Sequence, residues 1–178
     1  MAETTPANSL SLSLANFRTM LANVSAWQTW TEADNAAEAI VRIKIGGLPA
    51  PREAGQYTLA EMRGYRPYSL IHFDREGGGF QSLALSGGPV PEFQDSGRIM
   101  WTVADDIEDE IRGNFYEAEI RFLNSLGAVW DGLKAIGNAN PYLSITTIIL
   151  ETGPLRATPS EIDAMGDHIW ARMAVEWR

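Results

Sequence analysis

Hydrophobic positions in the second half of the chain change period twice. From Phe115 the apolar residues fall at Phe122, Leu126, Val129, Leu133 and Ile136, a three-and-four spacing that draws one stripe down a helix. The opposite face is polar, with Glu117 four residues before Arg121, and Gly137-Asn138 supplies a left-handed stop. Residues 142–151 are rich in Ile and Thr. Residues 168–177 alternate, with Ile169, Ala171, Met173, Val175 and Trp177 on one side, so both segments predict strands. The first half is shorter in rhythm. Leu14, Phe17, Leu21 and Val24 predict a helix over about 13–27, residues 32–38 are helical in pattern, and 40–45 alternates as a half-buried strand. Residues 66–74 and 80–86 are two β-type runs whose separator, Arg75-Glu76-Gly77-Gly78-Gly79, predicts a hairpin turn. Ile99, Trp101 and Val103 share one face of a further strand.

These elements predict an α+β fold: a mostly antiparallel sheet of four to five strands packed against a long helix over about 105–136 and the N-terminal helix. Residues 1–8 are expected to be a flexible leader and 9–178 a single domain, with long loops at 46–65 and 87–97 marked by Gly and Pro. Such loops are commonly functional. A capping box is expected at Thr158-Pro159-Ser160-Glu161, and the spacing permits another near residues 58–61.

The chain has 178 residues, enough to bury roughly 70% of its unfolded surface. With 45% hydrophobic and 21% charged residues it has ordinary globular usage, and no apolar run suggests a membrane span. Zero cysteines exclude disulfides and thiol chemistry. The net charge is −9: 8 basic and 10 acidic side chains up to residue 104 give −2, and 6 and 13 beyond it give −7. An acidic chain without a basic stripe is a poor ligand for phosphates, so no sequence-specific nucleic-acid binding is expected.

Candidate chemistry is sparse. Gly77-Gly78-Gly79 lacks the Lys-Ser/Thr of a phosphate loop, and Ser86 lacks the strand-to-helix elbow of an esterase nucleophile. Two histidines, His72 and His168, exclude a centre built on several imidazoles. The run Asp105, Asp106, Glu108, Asp109, Glu110 offers oxygens but not calcium-loop spacing, and is expected to start the long helix with Asp105 as N-cap. No catalytic, cofactor or metal site is expected. The last two strands, about 33 Å each, carry Trp170 and Trp177 and are long enough to pair with a neighbouring subunit. The candidate interface is therefore Asp105, Asp106, Glu108, Asp109, Glu110, Trp170 and Trp177.

The element order carries a likeness. An N-terminal helix, a strand, a long loop, an Arg66-Pro67-Tyr68 strand opening a hairpin, a helix bearing Phe122-Leu123 and Leu126, and a closing strand pair ending Val175-Glu176-Trp177-Arg178 resembles the tail terminator and neck proteins of long-tailed bacteriophages. The resemblance implies a non-enzymatic virion protein, assembled in the host cytoplasm as a homohexameric ring. Its partners would be the tail tube protein and a head-completion or connector protein, with double-stranded DNA passing through the lumen. Within the same class another neck or tail-tube subunit fits the likeness as well, and a second reading, from the residues alone, is a small α+β ligand-binding domain or hydrolase using His72 or His168 beside a pocket carboxylate.

Overall fold

A computed structural model describes residues 8–46, 66–74, 79–85, 92–107, 113–137, 143–157 and 168–178. Helix α1 (Ser9–Ala22) starts earlier than its apolar stripe predicts because Asn8 and Ser11 form a reciprocal capping box. It stops at Asn23, and α2 (Ser25–Trp30) restarts after an extended Val24, so the single expected helix over 13–27 is two. Asn35 caps the short α3 (Ala36–Ala39) by accepting from the Ala37 and Glu38 amides. A 3-10 turn (Ile40–Arg42) follows, and only β1 (Ile43–Ile45) of the alternating 40–45 run is strand. Arg18 fixes that turn by donating from Nε to the Ile43 carbonyl (3.0 Å) and from Nη2 to that of Ile40 (3.3 Å).

The remaining elements are β2 (Tyr68–Phe73), β3 (Phe80–Leu85), β4 (Glu92–Asp106), α4 (Phe115–Gly137), β5 (Ile145–Ala157) and β6 (His168–Trp177). The architecture is α+β, as expected, with six strands in place of four to five. Their order is β1-β2-β4-β6-β5, with β3 also on β4; only the β1–β2 pair is parallel. Among the described residues, β4 extends six residues into the expected 87–97 loop, and β5 runs to Ala157.

Two expectations need correcting. β2 and β3 do not form a hairpin. Both pair antiparallel with β4, Phe73 opposite Ile99 and Phe80 opposite Gly97, so they lie end to end along one side of it. Arg98 bridges the interruption, donating its amide to the Gly79 carbonyl (3.3 Å) and accepting from the Asp74 amide (3.0 Å). Glycine is required at this joint, since a Cβ on Gly79 or Gly97 would collide with the backbone oxygen of Asp74 or Gly79, respectively. The long helix, secondly, begins at Phe115 and not near 105: Asp105 and Asp106 are the last residues of β4.

One face of the sheet is covered by helices. Ile169, Ala171, Met173 and Val175 of β6 meet Ile99, Trp101 and Val103 of β4 beneath Phe122, Leu126, Val129 and Leu133 of α4, all of them buried. Phe17 of α1 sets its ring edge-on to Trp101 at 6.2 Å. Each such side chain contributes about 1.5–3 kcal/mol by burial, so this layer dominates stability. The expected capping boxes near 58–61 and at 158–161 lie outside the described residues, as does the expected leader up to residue 7. No helix among the described residues is long and apolar enough to cross a membrane.

Candidate functional site

Two features stand out: a charged cleft where the sheet meets the helices, and a ribbon that stands away from both. The cleft, about 560 Å³, lies between the end of α2, the end of β4 and α4. Its walls bring together Arg42, Arg66 and Arg121 with Glu32, Asp105 and Asp106, over the aromatic rings of Trp30 and Phe122. Trp30 and Phe122 pack edge-on at 5.4 Å.

Asp105 points to the helix side. It accepts from the Trp30 indole N–H (2.7 Å) and from the Asp106 amide (2.8 Å). Loss of water around it pushes its carboxyl above the ordinary 3.8, against the lowering effect of those two hydrogen bonds. The notion of Asp105 as a helix N-cap therefore fails: its partner is an indole 75 residues away in sequence. Asp106 faces the other way and pairs with Arg66, whose side chain is 1% exposed. His168 stands opposite Asp106 in the β4–β6 register, but neither histidine lines the cleft.

Glu32 is the strained member. Its φ of 54° is left-handed, closing α2 with the Glu32 amide on the Thr29 carbonyl (3.2 Å) and the Ala33 amide on that of Gln28 (2.9 Å). This is the six-to-one and five-to-two pattern that normally takes glycine. A glutamate held there costs roughly 1 kcal/mol and keeps a carboxylate at the cleft mouth.

Of the interface candidates, Asp105 and Asp106 share the cleft, while Glu108, Asp109 and Glu110 lie outside the described residues. Trp170 is half-buried on the sheet face away from the helices, with the Arg172 guanidinium 5.9 Å from its ring. Trp177 is an interior residue, contrary to its expected place at an exposed strand end: 4% exposed, it packs on Phe80 at 5.9 Å. Sequence reasoning missed Glu32, Arg42, Arg66 and Arg121, which come from separate segments and carry no shared spacing. Among the described residues no group of three or more His, Asp or Glu side chains is placed to hold a metal ion.

The ribbon consists of β3 and the start of β4. β6 pairs with β4 only from Gly97 onward, so residues 92–96 have β3 as their one strand neighbour among the described residues. Gln81, Ser82, Leu83 and Ala84 are all exposed, Leu83 at 59%. Side chains on both faces of β3 thus meet solvent. Among the described residues of the ribbon only Phe80, at its root, packs on the core, against Phe73 and Trp177, and a two-stranded ribbon by itself is marginal in water.

No protein-family model matches the sequence, and no curated protein matches it.

Proposed function

We propose that this chain is a structural virion subunit that assembles into a ring at the end of a phage tail tube, as a tail terminator or a neighbouring neck protein. The observation that supports self-assembly is the ribbon of β3 and residues 92–96, in which β3 presents exposed side chains on both of its faces. An open sheet with such an extension gains stability when another chain covers it. The tail-and-neck part of the reading rests on the element order described above, and the net charge of −9 suits a lumen along which DNA slides without sticking. The test is the native mass at high protein concentration, alone and with purified tail tubes. A species near six times 19.6 kDa supports the ring; a monomer under both conditions sinks it.

The cleft favours a second reading, a small-ligand site, because a non-glycine residue is held left-handed at its mouth. A thermal-shift screen of small polar ligands tests this. A compound that stabilises the parent but not Arg121→Ala supports it, since Arg121 is exposed on α4 and a surface substitution there should change stability by no more than about 0.5 kcal/mol.

A further inference from the structure

The sheet has four free edges among the described residues: β1, β3, β5 and the side of β4 away from β3 at residues 92–96, the last of which carries Glu92 and Asp95. Proteins blunt exposed edges by shortness, bulges, proline or charge. β1 is three residues long. The second half of β5 carries Glu151 and Arg156, a left-handed Gly153, Pro154 without an N–H, and two register irregularities. β3 has none of these devices: Phe-Gln-Ser-Leu-Ala-Leu is unbroken, uncharged and regular in its pairing.

The first half of β5 shares most of this character. Residues 145–150 are uncharged and without proline, with Ile149 40% and Leu150 41% exposed; their register on β6 shifts once, between Ile145 and Thr147, and runs evenly from Thr147 to Leu150. Charge narrows the choice of partner. Copies carrying −9 each repel one another, yet residues 77–91 and 135–150 contain no charged side chain, and these two stretches hold the two edges that lack both charge and proline, β3 and residues 145–150. They lie on opposite sides of the sheet and have equal length. β3 also runs opposite to β5, because each of the pairs β3–β4, β4–β6 and β6–β5 is antiparallel. Rotating a copy about an axis along the strands therefore brings β3 of one against β5 of the next in antiparallel sense, the more stable ladder.

We propose that copies of this chain join head to tail by strand addition, the free edge of β3 in one copy pairing with residues 145–150 of β5 in the next. The contact rests on the self-assembly reading above and names its surfaces and partner. Because the two edges differ, the contact is heterologous, and such contacts generate rings when the rotation closes and filaments when it does not.

Two exposed-site variants test it, Leu83→Asp on β3 and Ile149→Asp on β5, each first shown by circular dichroism and melting to be folded. Light-scattering mass should fall from the assembled value to the 19.6 kDa monomer for each alone. Mixed in equal amounts they should give a dimer and nothing larger, since one intact β3 edge then meets one intact β5 edge. An Ile149→Asp protein that still assembles overturns the pairing, as does a mixture that stays monomeric or a wild type that never associates. Filaments from the wild type, with both variants behaving as stated, would uphold the pairing and remove the ring reading.

Discussion

Strand β4 passes through two environments. Between residues 98 and 106 it has β2 on one side, β6 on the other and helices over one face, and Ile99, Trp101 and Val103 are all 0% exposed. Between 92 and 96 it has β3 as its one strand neighbour among the described residues. The backbone is continuous, so the difference is one of neighbours. A strand is only as stable as the surfaces that cover it, and a protein reserves its thinly covered segments for contact with other molecules.

Hydrogen exchange in a monomeric variant offers the widest test of that contrast. Amides at 99–105 should open only with global unfolding, whereas those of β3 and 92–97 should exchange at least about 10³-fold faster, given a typical domain stability of several kcal/mol. Uniform protection along β4 would erase the distinction. Trp101→Ala strikes the covered half, removing a ring that Phe17 packs against, and should cost about 3–5 kcal/mol in denaturant unfolding. Glu32→Gly, beside the covered end, should raise stability by about 0.4–1 kcal/mol by relieving the left-handed backbone.

Asp105→Asn sharpens the picture through pH. Its folded-state pKa is raised, so the folded protein holds the proton more tightly than the unfolded chain does. The contribution of this group is therefore most favourable below the ordinary 3.8 and is lost as pH rises through the folded-state value. The variant should be more stable than the parent at neutral pH, with the advantage vanishing in acid. Smallest of all, Leu83→Asp should change monomer stability by no more than about 0.5 kcal/mol while abolishing assembly. A loss comparable to that from Trp101→Ala would show the ribbon to be part of the core.

Local pattern revealed the stripe of α4 and the alternation of β6 because each needs only its own side chains to declare a buried face. It assigns Asp105 and Asp106 to a helix start, because carboxylates next to apolar residues have that composition, whereas they end β4. The deciding partner of Asp105 is Trp30, and no spacing along the chain announces a contact across 75 residues. The break between β2 and β3 was misread for a related reason. Glycines fit a reversing turn and a close backbone approach equally well, and only the β4 register separates the two. The cleft was illegible because its arginines arrive from three elements.

Arg98, at the joint beside the ribbon, forms ion pairs with Asp74 on one side and Glu151 on the other. From Gly97 to Asp106, ten consecutive residue pairs lock β4 to β6. Traction applied to the ribbon along the strand axis would therefore load that ladder in shear, with its bonds sharing the force simultaneously instead of peeling one by one. β4 is a tie rod about 50 Å long, anchored in the core at one end and offering a handle at the other.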